Sequence, residues 1–148
     1  MPDIAALSRQ VIVDDTPDGL RIQLVDQDGR PMFQPGTSEP MPYTRTMLVA
    51  VAKIIDRLPN RDSISGHTDG KDFQGPNGTT NWELSAARAN AARAIITAAG
   101  VNTDRISEVA GKAGSEPLLP EDPDASSNRR ISILLMREAP PVPPGSKP

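Results

Sequence analysis

The residues best suited to chemistry are one arginine and one aspartate. Arg88 occupies one position of an apolar helical stripe whose other members are Leu84, Ala91 and Ile95. Burying an unpaired guanidinium is unfavourable, so Arg88 predicts a neighbouring acid or a bound anion. Asp69 is the natural partner, because it ends a predicted strand and the loop after it returns the chain to the N-terminal half of this helix. A ligand site and a purely structural ion pair both fit the pattern.

The sequence offers few combinations of residues that could form a catalytic site. His67 is the only histidine, and with Asp69 and Asp72 it supplies too few ligands for a hydrolytic metal site. Neither Ser65 nor Ser85 lies in a nucleophile-elbow pattern that would let His67 act as its base. We therefore expect no catalytic residues, no metal and no cofactor.

Two further features leave alternatives open. Trp82 is the only tryptophan and begins the second helix, where it could pack over the long loop or cap the core; packing against the core is the expected role. The run Asn128-Arg129-Arg130 fits a small anion site, and it fits equally two solvated bases where a strand begins.

Composition narrows the class of protein. The 148 residues carry a net charge of -3, contain no cysteine and include only four aromatic residues. Disulfides and thiolate chemistry are excluded, and nucleic acid is a poor candidate partner without a basic face or stacking platform. No apolar run approaches the roughly 20 residues of a membrane-spanning helix.

Periodicity and turn residues predict a sheet with two helices. The predicted elements are a strand at Val11–Val13, a turn at Asp15–Gly19, a strand at Leu20–Leu24, a loop at Gln27–Pro42, a helix at Tyr43–Leu58, a strand at Ser63–Thr68, a loop at Gly70–Thr80, a helix from the Thr80/Glu83 capping box to Gly100, and strands at Arg105–Gly111 and Arg130–Met136. The fold class is therefore α/β (an α+β sandwich), with helices packed on one face of a mixed parallel and antiparallel sheet.

Three segments carry a resemblance to a known family. The segments are Gly66-His67-Thr68-Asp69, Asn81 to Ala89, and Asn128 to Ile133, and together they resemble the OmpA-like peptidoglycan-binding domains. The resemblance covers roughly residues 15 to 138 and implies a βαβαβ core. It divides the chain into an N-terminal linker with helix and strand (1–14), the binding domain (15–138) and a Pro-rich tail (139–148).

The resemblance also implies a ligand and its site. Members of this family bind the peptide stem of peptidoglycan, chiefly its diaminopimelate, whose side chain ends in an ammonium beside a carboxylate. An acid and a planar, bidentate base held together would match that group. The matching positions are Asp69 and Arg88 for ligand contact, Thr68, Asn81 and Leu84 for the pocket wall, and Arg129 near the pocket.

Within the family, the chain is most similar to the periplasmic domains of flagellar stator proteins. The similarity lies in Gly19–Leu24, Met32-Phe33 and Asn81–Ala91. It implies a periplasmic fragment of an inner-membrane protein that forms a homodimer and anchors the motor to the cell wall. A MotA-type channel partner would bind through a transmembrane segment outside this chain. The alternative is a structural outer-membrane lipoprotein of the same family, which would use the same pocket.

Two features depart from the family pattern. The loop Gly70–Thr80 is long compared with the lipoprotein members, and Asp62 stands where the strand alternation calls for an apolar residue. An inward-facing Asp62 would cost roughly a few kcal/mol or distort its strand. A substitution introduced by engineering would explain such a residue.

We predict that Asp62→Ile raises the melting temperature, because it replaces a buried charge with an apolar side chain that suits a strand. Thermal unfolding followed by circular dichroism measures the change. An unchanged or lower melting temperature would show that Asp62 does not oppose folding.

Overall fold

The fold is a five-stranded sheet with two helices, seen in a computed structural model that describes residues 10–137. The elements are β1 (Val11–Thr16), β2 (Gly19–Val25), α1 (Pro42–Asp56), β3 (Asp62–His67), α2 (Asn81–Ala98), β4 (Ile106–Gly111) and β5 (Arg130–Met136). The predicted segments before residue 10 and after residue 137 lie outside the described residues. Neither of the two helices is long and apolar enough to cross a membrane.

The sheet has the strand order β1-β2-β5-β3-β4. β3 and β4 are parallel, whereas β5 is antiparallel to both of its neighbours, β2 and β3. The expected mixed sheet is thus confirmed. Because β5 runs against β2 and β3, its first residue lies at the same end of the sheet as the last residues of those two strands.

Small differences from the predicted boundaries have local causes. The first turn contains only Pro17 and Asp18, and a Cβ on Gly19 would lie 2.0 Å from the carbonyl oxygen of Leu135, so glycine is required there. The helix α1 begins at Pro42, which suits the first helical turn. β4 begins at Ile106 because the residues before it form a 3₁₀ turn.

The core lies between one face of the sheet and the two helices. Its fully or nearly fully buried members are Ile22, Leu24, Ile64, Ile131, Ile133 and Leu135 from the sheet, Leu48 and Ile55 from α1, and Ala92 and Ile96 from α2. Alternation along each strand sends every second side chain into this layer, which is the pattern that the sequence predicted.

Two glycines bring α2 into direct contact with the sheet. Gly66 and Gly111 are register partners on β3 and β4. A Cβ on Gly66 would lie 2.2 Å from the carbonyl oxygen of Ser85, and one on Gly111 would lie 2.4 Å from the amide nitrogen of Ala86. The Ser85 hydroxyl also accepts a hydrogen bond of 3.0 Å from the amide of Ala113. The start of α2 is therefore fixed against the ends of these two strands.

The buried face of α2 is rotated from the predicted stripe. Its buried residues are Leu84, Ser85, Arg88, Ala89, Ala92 and Ile96. Arg88 is buried as expected, whereas Ala91 and Ile95 are only partly buried at the margin of the core. The small residues Ser85 and Ala89 take the centre because the helix lies so close to the sheet.

Asp62 does point into the core. It is 0% exposed, and neither of its carboxylate oxygens accepts a hydrogen bond. Arg105 approaches to 3.7 Å, but its guanidinium donates to the carbonyl oxygens of Asn60 and Ile55 instead. Burial raises the pKa of Asp62 to about 6, and the charge of Arg105 opposes this increase only in part.

The raised pKa predicts a pH dependence of stability. Asp62 binds its proton more tightly in the folded state than in the unfolded state, so protonation stabilises the fold. This stabilisation is fully present below the ordinary pKa of 3.8 and is lost as the pH rises through about 6. A shift of this size corresponds to roughly 3 kcal/mol. Urea unfolding from pH 4 to pH 7 should therefore show wild type losing stability relative to Asp62→Asn. The exposed Asp104→Asn is the control and should track wild type; parallel curves for wild type and Asp62→Asn would contradict the prediction.

Candidate functional site

Three charged residues meet at one end of the sheet because of the strand order. Asp26 follows β2, Asp69 follows β3 by two residues, and Arg129 directly precedes β5, which lies between them. Arg129 donates from Nε to Asp26 at 2.8 Å and from Nη1 to Asp69 at 2.6 Å. One guanidinium thus bridges two carboxylates that are 4% and 8% exposed.

The same carboxylates also hold two loops. Oδ1 of Asp26 accepts a hydrogen bond of 2.8 Å from the amide of Met32, and Oδ1 of Asp69 accepts one of 3.0 Å from the amide of Lys71. The amide of Asp26 donates to the carbonyl oxygen of Arg129 at 3.0 Å. The loop after β2 and the loop after β3 are therefore both fixed to Arg129.

Arg88 has a different environment. It is 7% exposed, donates from Nε to the carbonyl oxygen of Thr37 at 2.7 Å, and reaches the carbonyl oxygen of Gln34 at 3.4 Å. Its guanidinium carbon lies 5.1 Å from the centre of the Phe33 ring. Within residues 10–137 Arg88 forms no ion pair, so the structural salt bridge with Asp69, one of the two interpretations that the sequence left open, is not seen there.

The candidate residues nevertheless surround one cleft of about 370 Å³. Its lining includes all six positions predicted from the sequence, namely Thr68, Asp69, Asn81, Leu84, Arg88 and Arg129. The loop after β2 adds Phe33, Pro35 and Gly36, and the loop after β3 adds Phe73. A cleft of this size with convergent charges can hold a small polar group.

The three uncharged candidates have separate places in the wall. The hydroxyl of Thr68 donates to the carbonyl oxygen of Asp69 at 3.0 Å, and the amide of the Asn81 side chain donates to the carbonyl oxygen of Lys71 at 2.8 Å. Leu84 is buried and gives the cleft an apolar surface. Thr68 and Asn81 thereby hold the backbone carbonyls of Asp69 and Lys71, where the loop after β3 begins.

Burial shifts the titration of the charged groups. It raises the pKa of Asp26 despite hydrogen bonds from Arg129 and Met32. It lowers the pKa of Arg88, which Asp26 and Asp69 partly offset. For Arg129, hydrogen bonds with both acids outweigh burial and raise the pKa. Arg88 is thus a buried cation whose charge the nearby acids only partly compensate, and a bound anion beside it would add to that compensation.

His67 and Arg130 do not join the cleft wall. The Nε2 atom of buried His67 lies 3.0 Å from the hydroxyl of Ser65, and burial lowers the pKa of the histidine to about 3. Arg130 is buried and hydrogen-bonds to Gln23 at 2.8 Å, so it is not a solvated base. Within the described part of the chain, no group of three or more His, Cys, Asp or Glu residues could hold a metal ion.

Asp26 is the site residue that sequence reasoning missed. It directly follows the apolar strand β2, as Asp69 follows β3, and that position was an available signal. Recognising it required the strand order, because 103 residues separate Asp26 from its partner Arg129.

Comparison with known proteins places these features in context. The OmpA family matches residues 32–130. Motility protein B of Escherichia coli strain K12 is 41% identical over 138 residues, which are 93% of this chain and 45% of that protein. The chain thus spans less than half the length of this relative.

Solved structures share the fold. A periplasmic domain of Helicobacter pylori MotB matches with a TM-score of 0.77 and 21% identity, covering 92% of this chain and 85% of that one. The cell wall anchor of the T6SS from Pseudomonas aeruginosa matches with a TM-score of 0.74 and 21% identity, covering 93% and 99%. The mixed sheet with two helices is therefore the fold of those domains.

Removing Arg129 should leave two buried carboxylates facing each other without a base. We expect Arg129→Ala to destabilise the fold by roughly 3 kcal/mol, measured by urea unfolding at pH 7. Adding Asp26→Asn to that variant should restore part of the loss. The control is Arg137→Ala, because Arg137 pairs with Asp15 at 2.8 Å on the exposed surface, where the expected loss is about 0.5 kcal/mol or less. Equal small losses for both single variants would contradict the bridging role of Arg129.

Proposed function

The chain belongs to the OmpA family, and on that premise we propose that it is a non-catalytic peptidoglycan-binding domain whose cleft holds the diaminopimelate of the stem peptide. The observation that carries the proposal is Arg88, a buried guanidinium in the wall of the same cleft as Asp69, which among residues 10–137 has carbonyl partners but no carboxylate. A ligand carboxylate is the missing partner.

The charges of the cleft match those of the ligand group. Three acids and three bases line the cleft, so the lining is formally neutral; they are Asp26, Asp69 and Asp72, and Lys71, Arg88 and Arg129. Diaminopimelate ends in an ammonium beside a carboxylate, which is also neutral overall. Its carboxylate would accept two N–H hydrogen bonds from the planar guanidinium of Arg88, and its ammonium would lie against Asp69.

This arrangement also gives a reason for selectivity. A stem that carries lysine instead of diaminopimelate offers the ammonium but lacks the adjoining carboxylate. Arg88 would then remain without an anionic partner in a buried place, and the lysine stem would bind more weakly.

The anchoring role follows from the relatives. The E. coli relative is named motility protein B, and on that similarity the proposal extends to a periplasmic cell-wall anchor for a flagellar motor stator. Homodimerisation and a MotA-type channel partner belong to the same proposal and concern a longer protein than this chain. The lipoprotein alternative would use the same cleft, but the similarity to a motility protein favours the stator.

Binding to purified peptidoglycan sacculi tests the site. We expect Asp69→Ala and Arg88→Ala each to reduce binding about tenfold or more, because each removes a charge-assisted contact with the ligand. The matched control is Arg93→Ala, which removes another arginine of α2 that lies outside the cleft wall and should bind like wild type. Sacculi with lysine in place of diaminopimelate should bind wild type weakly.

Folding must be checked beside binding, by circular dichroism and urea unfolding of each variant. Wild-type binding by both folded cleft variants would remove the site assignment. Equal binding of wild type to the two kinds of sacculi would remove the assignment of diaminopimelate.

A further inference from the structure

The two loops that form the cleft touch each other at one aromatic side chain, Phe73. It belongs to the loop after β3, is partly buried and lines the cleft. A Cβ on Gly36, in the loop after β2, would lie 3.2 Å from its Cε1 atom, and a Cβ on Gly75 would lie 2.7 Å from its Cζ atom. The tip of the ring is therefore held between two backbone segments that carry no side chain, and a larger residue in either segment would displace it.

The loop after β3 is anchored on both sides of Phe73. The side-chain amide of Asn81 donates to the carbonyl oxygen of Lys71 at 2.8 Å, and the backbone amide of Gly75 donates to the carbonyl oxygen of Thr79 at 2.9 Å. The ring thus projects from a backbone that is fixed two residues before it and two residues after it. Such a side chain can support whatever it contacts.

The segment that Phe73 contacts is a tight turn, Gln34 to Thr37. The amide and the hydroxyl of Thr37 both donate to the carbonyl oxygen of Gln34, at 3.0 and 2.8 Å. Pro35 and Gly36 take the two central positions, and Gly36 has a φ of 72°, which is the arrangement of a type II turn. The turn is therefore a compact unit that can be held as a whole.

This turn supplies both carbonyl oxygens to which Arg88 donates. Nε donates to Thr37 at 2.7 Å, and Nη2 reaches Gln34 at 3.4 Å. The guanidinium is planar and its N–H groups have fixed directions. The position of the turn therefore sets the direction in which Arg88 presents its other N–H groups.

We propose that Phe73 is a positioning residue for Arg88: its ring holds the Gln34–Thr37 turn, and the turn holds the guanidinium in the orientation that receives a ligand carboxylate. The inference rests on the proposed function, because it concerns how that cleft binds diaminopimelate. A side chain that is fixed in advance loses less conformational freedom on binding than one that the ligand must order. The loop after β3 thus acts on α2 through the loop after β2.

Calorimetric titration with the soluble diaminopimelate tripeptide tests the role of the ring. We expect Phe73→Ala to weaken binding roughly fivefold, with the fold intact by circular dichroism, and Phe73→Leu to keep part of the affinity. The control is Gln74→Ala, because Gln74 is the exposed neighbour of Phe73 and lies outside the cleft wall. Its variant should bind like wild type.

Two glycines of the loop after β2 give a second matched comparison. Gly36 and Gly29 have φ values of 72° and 74°, so alanine is strained at either position. At Gly36 the new Cβ would meet the ring of Phe73, whereas at Gly29 none of the described residues lies within 4 Å of it. We expect Gly36→Ala to weaken tripeptide binding as Phe73→Ala does, and Gly29→Ala to lose stability without losing affinity.

A double-mutant cycle shows whether the ring acts through Arg88. In an Arg88→Ala background, Phe73→Ala should weaken tripeptide binding by less than about twofold, because the residue that it positions is already gone. Nuclear magnetic resonance gives a direct readout. The Nε–H proton of Arg88 should exchange with water faster in Phe73→Ala than in wild type or Gln74→Ala, because its hydrogen bond to Thr37 is less well held.

Each contrary result has one meaning. Wild-type affinity in folded Phe73→Ala overturns the inference and leaves the cleft assignment standing. An equally large loss with and without Arg88 shows that the ring contacts the ligand directly, and this also overturns the inference. If Phe73→Ala does not fold, equal affinities of Gly36→Ala and Gly29→Ala overturn it instead. Failure of wild type to bind the tripeptide overturns the proposed function itself.

Discussion

The ion bridge from Asp26 through Arg129 to Asp69 is the constraint on which this end of the molecule depends. It exists because β5 runs antiparallel between β2 and β3, which sets a base between two strand-end acids. Through the amides of Met32 and Lys71, the bridge also fixes the two loops that form the cleft. These two loops would otherwise sample many conformations, and the bridge holds them in one arrangement as the wall of the cleft.

The two arginines of the cleft differ in how far their positive charges are already neutralised by the protein. Arg129 is committed to two carboxylates, so its charge is neutralised before any ligand arrives. Among the described residues, Arg88 donates to the carbonyl oxygens of Thr37 and Gln34 and lies over the Phe33 ring, contacts that position the guanidinium without cancelling its charge. The contact of α2 with Gly66 and Gly111 fixes the backbone that carries it. Such a prearranged cation loses little conformational entropy when a carboxylate binds.

The local sequence pattern correctly predicted those parts of the structure that depend on residues close together in the sequence. The capping box begins α2, β5 has its expected bounds, and Arg88 is buried in the helix. Pairings between distant segments were beyond such reasoning, as Asp26 and Arg129 show, because the strand order decides them. Trp82 was misjudged for a related reason. Helical periodicity predicts which face of α2 is apolar, but it does not predict that Trp82 in the first turn is 56% exposed instead of packed on the core.

Two buried charged residues, Asp62 of β3 and Arg88 of α2, show why one buried charge opposes folding while another can serve recognition. Asp62 is fully enclosed, and its ion-pair partner among the described residues is Arg105 at 3.7 Å, whose donors are taken by carbonyl oxygens, so its charge is only partly offset. Arg88 also has carbonyl partners, yet it borders a cleft that admits a ligand. At the enclosed Asp62 an unneutralised charge opposes folding, whereas beside the cleft at Arg88 it would favour the binding of an oppositely charged group. Access for a partner of opposite charge, rather than burial alone, therefore decides which of these charges can serve recognition.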